Sequence, residues 1–144
     1  MTERPLRVAG IVIGLIVTSC GSPKQLPLGP GGGTPDPNAT FTRVEAEIFA
    51  PSCALTGCHA GAAPQAGMDL TASAAFGSIV RVPSVERGDL FRIDPGDPER
   101  SYLVKKVRGD ADISGSAMPL GGTPLSTQRL TLLTDWVLRG APRD

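Results

Sequence analysis

The chain has 144 residues, with 14 basic and 14 acidic side chains, 18 Gly, 14 Pro, three Cys and a single His. Zero formal charge excludes a strongly basic nucleic-acid binder and an acidic tail, and the length allows one modest domain. Four Phe, one Tyr and one Trp leave little aromatic material for a core, so something besides side chains is expected to help fill it.

The first element is an address. Arg4 and Arg7 precede the run Val8 to Val17, which has no polar side chain. The run is too short to span a bilayer as a helix, which takes about 20 apolar residues. A basic start, a short apolar core and small residues beyond it form a secretory signal over 1–19. Its end, Val17-Thr18-Ser19-Cys20, resembles the lipobox of bacterial lipoproteins, in which cleavage falls before the Cys. The resemblance implies that Cys20 becomes the lipidated N-terminus and holds the protein to a membrane, facing the periplasm or the exterior. The alternative is an ordinary signal peptide in which Cys20 has no role. Residues 20–40 then read as the lipidated Cys plus a flexible linker, since residues 21–40 hold five Gly and five Pro and no apolar period.

The remaining residues, 41–144, read as one mainly α domain. Thr42-Arg43-Val44-Glu45 fits a capping box, with Phe41, Val44 and Ile48 on one helical stripe and Pro51 as the stop. A second helix is expected over Thr71 to Val80, weakened by Gly77. Leu90 to Ile93 reads as a short strand or an extended loop. Asp97-Pro98 starts a third helix through Tyr102, Leu103 and Val107. Ser126 caps the fourth, with Leu130, Leu133 and Val137 along one side, Trp136 adjacent and Gly140 as its close.

The chemistry gathers in FAPSCALTGCHAGA, residues 49 to 62. Cys53 and Cys58 are spaced Cys-x4-Cys, and His59, the only His, follows directly. This resembles the Cys-x-x-Cys-His attachment signature of c-type haem, with a wider loop. The logic is physical: two thiols add across the porphyrin vinyl groups, and the adjacent imidazole reaches under the ring to iron. The order of N-terminal helix, haem motif, Met-Pro loop and C-terminal helix also resembles class I cytochromes c. That likeness implies one haem c bound covalently by Cys53 and Cys58, His59 as the proximal axial ligand and Met118, ahead of Pro119, as the distal one. Met68 lies only nine residues beyond His59 and is the poorer candidate. The family also implies that the first and last helices pack together, Val44 and Ile48 against Leu133, Trp136 and Val137. The carbonyl of Pro64, or another in the stretch Ala60 to Ala66, is expected to receive the Nδ1 proton of His59.

The function implied is electron transfer by a carrier that is no enzyme in its own right, with redox proteins in or near the membrane as partners and no nucleic acid. Three other readings stay open. Cys53 and Cys58 can form a disulfide in a cofactor-free structural or interaction lipoprotein. Cys53, Cys58 and His59 can supply three zinc ligands. Without ligation by Met118, an open iron position would allow a peroxidase or gas-sensing role. Asp69, Asp94 and Asp97 read as turn and cap residues, Lys105 and Lys106 as a solvated helix face, and Tyr102 as core. If a haem fills the centre, the chain without it is expected to be poorly folded.

Overall fold

The computed structural model describes residues 33–144. The expected signal peptide over 1–19, Cys20 and most of the expected linker therefore lie outside the described residues. Helices make up 38 % of what is described, and no β-strand forms among the described residues. The domain is thus small and helical, with long connections. No helix in it is long and apolar enough to cross a membrane.

The packed part begins earlier than composition suggests. Within the segment expected to be linker, the backbone N–H of Asp36 donates to Asp135 Oδ2 at 3.2 Å, and Ala39 is fully buried. Ala39 also offers its carbonyl to the Arg139 guanidinium. These contacts come from the far end of the chain, so local composition carries no sign of them.

The first helical run is α1 (Phe41–Val44), a π turn (Glu45–Phe49) and α2 (Ala50–Ser52). Its cap is Thr40, whose side chain accepts from Arg43 N–H at 3.3 Å. The expected cap at Thr42 is displaced because Phe41 must lie inside the helix to reach the core. Its ring centroid is 5.3 Å from that of Trp136 and 5.2 Å from that of Phe76. Thr42 instead donates its hydroxyl to the Asp144 carbonyl at 2.9 Å, while Asp144 Oδ1 accepts the Phe41 N–H at 2.8 Å. An acceptor at a helix N-terminus satisfies a donor that the helix itself leaves free. Pro51 does not stop the run as expected. It has no N–H, and its ring crowds the carbonyl four residues back. The helix widens to the π register just before it, with Ala50 N–H on Glu45 O, and ends one residue later at Ser52.

The second helix, α3 (Ala75–Ile79), is half the expected length. Thr71 is held in a turn by Asp69 Oδ1, at 2.9 Å from its N–H, before the helix can start. Leu90 to Ile93 is extended and makes only isolated bridges, Phe91 to Pro83 and Ser101, and Ile93 to Val80. Asp97 caps a single 3₁₀ turn, Pro98–Arg100, through Arg100 N–H at 3.0 Å. The chain breaks at Ser101, whose backbone is extended and whose hydroxyl donates to Asp97 O at 2.8 Å. It then enters α4 (Tyr102–Arg108), closed by Gly109 at φ 76°. The last helix, α5 (Thr127–Leu138), is capped by Ser126 as its sequence predicts. Gly140, at φ 93°, turns the chain away beyond it.

Val44 and Ile48 share one buried core with Leu133, Trp136 and Val137. Leu103, Val104 and Val107 of α4 and Ile79 of α3 complete it. The first and last helical runs therefore pack together, as expected. The loops that carry Cys53 to Leu70 and Gly109 to Leu125 run along the margin of this core: Leu70 and Leu125 are buried in it, and Cys53, Ala54, Met68 and Met118 pack against it half-buried.

Candidate functional site

The Cys53–Leu70 loop is shaped by its backbone. Cys53 and Ala54 both donate to Phe49 O, at 2.9 and 2.7 Å, as α2 ends. Cys58 N–H then turns back to Leu55 O at 2.9 Å, with Gly57 at φ 84°. A β-carbon at that angle is strained, so glycine suits the turn. The turn returns the chain to its start: His59 N–H donates to Cys53 O at 3.2 Å. The carbonyl of His59 accepts from Leu70 N–H at 2.8 Å, and that of Cys58 from Gln65 N–H at the same distance. His59 is therefore held by its backbone on both sides, through its N–H and its carbonyl.

Its ring is held as well. Nδ1 lies 3.2 Å from the Gln65 carbonyl. With its proton on Nδ1, the imidazole donates to that carbonyl and keeps the Nε2 lone pair for a ligand. The Pro64 carbonyl expected in this role is engaged elsewhere, by Gly67 N–H at 3.0 Å. The next residue along the loop supplies the acceptor instead.

The two thiols are free and sit in different surroundings. Cys58 is exposed. Cys53 is half-buried against the core, with Sγ 3.7 Å from Ile48 O. Burial pushes its pKa up to about 11, the nearby Cys58 adds to the rise, and Arg129 opposes it. At neutral pH Cys53 is a protonated thiol, which makes it a poor nucleophile. Among the described residues no three His, Cys, Asp or Glu side chains converge in a way that could hold a metal ion. Cys53, Cys58 and His59 thus do not form a preassembled zinc ligand set.

Met118 is half-buried and packs against the core, as do Cys53, Met68 and Leu130. Its N–H donates to Lys106 O at 2.8 Å, so the loop is pinned to α4 at this residue, and its bond to Pro119 is cis. Leu120, two residues on, is 71 % exposed, and Leu55, inside the Cys-x4-Cys loop, is 48 % exposed. Two of the three large exposed apolar side chains among the described residues thus belong to the segments that carry the candidate ligands.

Two features of the neighbourhood escaped sequence reasoning. Lys106 is buried rather than solvated. Its Nζ meets Glu86 Oε2 at 2.9 Å and Ser114 O at 2.8 Å. Tyr102 donates to the same Glu86 oxygen at 2.8 Å and accepts Ser114 N–H at 2.8 Å. Together they strap the loop that leads into Met118. The second feature is Arg92, only 8 % exposed, in the run Leu90-Phe91-Arg92-Ile93. Its guanidinium donates to the carbonyls of Ala66 (2.6 Å), Gly67 (3.2 Å) and Ser78 (2.8 Å), and burial lowers its pKa. The only hint in the sequence was a charge set between two large apolar residues.

Compared with protein-family models, with curated proteins and with solved structures, the chain matches none.

Proposed function

We propose that this protein is a membrane-anchored, extracytoplasmic electron carrier with one covalently bound haem c, in a domain of class I cytochrome c type. The observation that carries the reading is the imidazole of His59. It follows Cys58 directly, donates at Nδ1 to a backbone carbonyl, and keeps Nε2 for a ligand, beside two free thiols.

The donor chemistry fits the group. Cys53 and Cys58 would anchor it. Each thiol would hold the group as a thioether, a redox-neutral addition that keeps the S–H hydrogen in the product. His59 and Met118 would hold the iron, through a nitrogen and a thioether, a pair that raises the reduction potential relative to two imidazoles. The half-buried Met118 and Leu130 and the exposed Leu55 and Leu120 offer apolar surface of the kind a porphyrin covers. The packing of the first and last helical runs, and their order around the Cys and Met loops, are consistent with the proposed fold. When bound, the group supplies one-electron cycling of iron between its ferric and ferrous states. The chain's own part would be to hold the donors His59 and Met118 and to cover the group with apolar side chains. With His59 and Met118 both engaged, the chain would offer iron no further open position, and the role proposed is a carrier's. The membrane anchor is the acyl chains proposed on Cys20.

The test is an alkaline pyridine spectrum of the chain exported by a host with a cytochrome c maturation system. A reduced α-band at the c-type position, retained through acid–acetone extraction, is the expected result. A colourless product beside a coloured control cytochrome overturns the proposal and turns attention to the disulfide-bearing structural lipoprotein.

A further inference from the structure

Arg92 is a buried cation with no carboxylate partner among the described residues. Its Nη1 and Nη2 instead grip three backbone carbonyls, with a further contact of 3.5 Å from Nη1 to Ser78 Oγ. Two of those carbonyls, on Ala66 and Gly67, directly follow Gln65, whose own carbonyl faces His59 Nδ1. The third, on Ser78, belongs to α3. The gripped turn is an unusual one. Ala66 and Gly67 both have positive φ, 55° and 58°. A non-glycine residue there costs conformational energy and persists where the surroundings enforce it. A planar fork with several fixed donors can bind two successive carbonyls at once, while a lysine ammonium acts as a point charge.

We infer that Arg92 is the positioning residue of His59: its guanidinium clamps the Ala66–Gly67 turn to α3 and thereby sets the Gln65 carbonyl that orients the imidazole. The clamp rests on these contacts alone. Its consequence for iron ligation rests on the function proposed above.

The chain has one histidine, so its two ring nitrogens give one assignable pair of NMR signals. The exported full chain is compared with R92Q and R92K after ¹⁵N-histidine labelling, in the reduced diamagnetic state where haem is present. In R92Q the Nδ1 proton is expected to exchange at least tenfold faster than in the wild type, together with the amides of Gly67 and Leu70. Amides of α5, Leu132 to Leu138, are expected to keep their protection. R92K, which keeps the charge without the fork, is expected to fall between. Unchanged ring exchange in R92Q overturns the inference, and so does a loss spread equally over the loop and α5, which marks Arg92 as merely structural. If R92Q does not fold, R92K is read alone: faster ring exchange supports the clamp, and wild-type exchange overturns it. A colourless wild type would end the haem reading, yet the same ring signals would still decide whether the clamp exists.

Discussion

Cys53 and Cys58 are near in sequence and unlike in chemistry. Cys53 holds its proton up to a pH of about 11 because its thiolate would be poorly solvated, whereas Cys58 is open to solvent. In chain made without haem, iodoacetamide should label Cys58 first, and labelling of Cys53 should climb only as the pH approaches 11. Mass spectrometry of timed aliquots would show the order, and equal rates at pH 8 would contradict the assigned burial. The same shift sets a stability trend. Between the ordinary thiol value of 9.0 and about 11, the unfolded chain has released the Cys53 proton and the folded chain has kept it. The unfolded state then binds fewer protons, so stability falls as pH rises through this window, by up to roughly 2 kcal/mol. Cys53→Ala should remove that slope in urea titrations at pH 8 and pH 11. Met118 carries the second prediction at this scale. Met118→Ala should leave covalent haem in place, give a high-spin ferric spectrum, and lower the midpoint potential by roughly 0.1 V or more, within the span that axial ligands command. Met68→Ala should do none of this. A reversed pair of results would assign the distal ligand to Met68.

At the scale of elements, what the sequence revealed was what is local. Ser126 and Asp97 cap their helices, and Asp69 holds its turn, because a cap and its donor are two or three residues apart. Where a distant contact decides, local signals misled. Thr40 caps in place of Thr42 because Phe41 belongs to a core shared with Trp136. Lys106 looked solvated because Glu86 and Ser114 lie 20 and eight residues away in the chain. Of the candidate site, the order Cys53, Cys58, His59 was legible, and so was a carbonyl for Nδ1, whereas Arg92 reaches back 25 and 26 residues and left no pattern. The strap on the Met118 loop yields its own prediction. Tyr102 joins Glu86 to the Ser114 backbone, so Tyr102→Phe strands one donor and removes one bond from the carboxylate. The cost should be about 1–2 kcal/mol in urea unfolding. It should come with faster amide exchange at Ser114 and Met118, and an unchanged Ser114 amide would show that the phenol does not hold the loop. Burial alone would raise the Glu86 pKa, but hydrogen bonds from Lys106 and Tyr102 and the Lys106 charge bring it below its ordinary value. The stability it lends is therefore present above pH 4.5 and lost as pH falls through the lowered value. Tyr102→Phe should move that loss to higher pH.

At the scale of the whole molecule, the question is what a haem would hold together. Scarce aromatics and abundant Gly and Pro predict a poorly folded chain without one. The arrangement of the core argues for a narrower effect. Phe41, Val44 and Ile48 close against Leu133, Trp136 and Val137, and Leu103, Val104 and Val107 seal another side, whereas the Cys and Met loops add only their ends, Leu70 and Leu125, and the half-buried Cys53, Ala54, Met68 and Met118 at the margin. Trp136 is fully buried, and its Nε1–H reaches Pro142 O at 2.9 Å, so even its polar atom is satisfied. Burying such side chains is worth about 1.5–3 kcal/mol each before the entropy of ordering is set against it. The candidate ligands, in contrast, sit on irregular loops that expose apolar side chains and are held chiefly by hydrogen bonds: Cys58, His59 and Leu55 on one, Met118 and Leu120 on the other. Such segments open locally at low cost while a core stays closed. The chain made without haem should therefore keep slow amide exchange at Val44, Ile48, Val104, Leu133 and Val137. Exchange in 54–69 and 110–122 should speed up by tenfold or more relative to the loaded protein, and both segments should be cut first by a protease. Fast exchange at Leu133 and Val137 in the unloaded chain would show that the helical core itself depends on the group. In that case the thin aromatic content, and not the closure between the first and last helices, governs the stability of this domain.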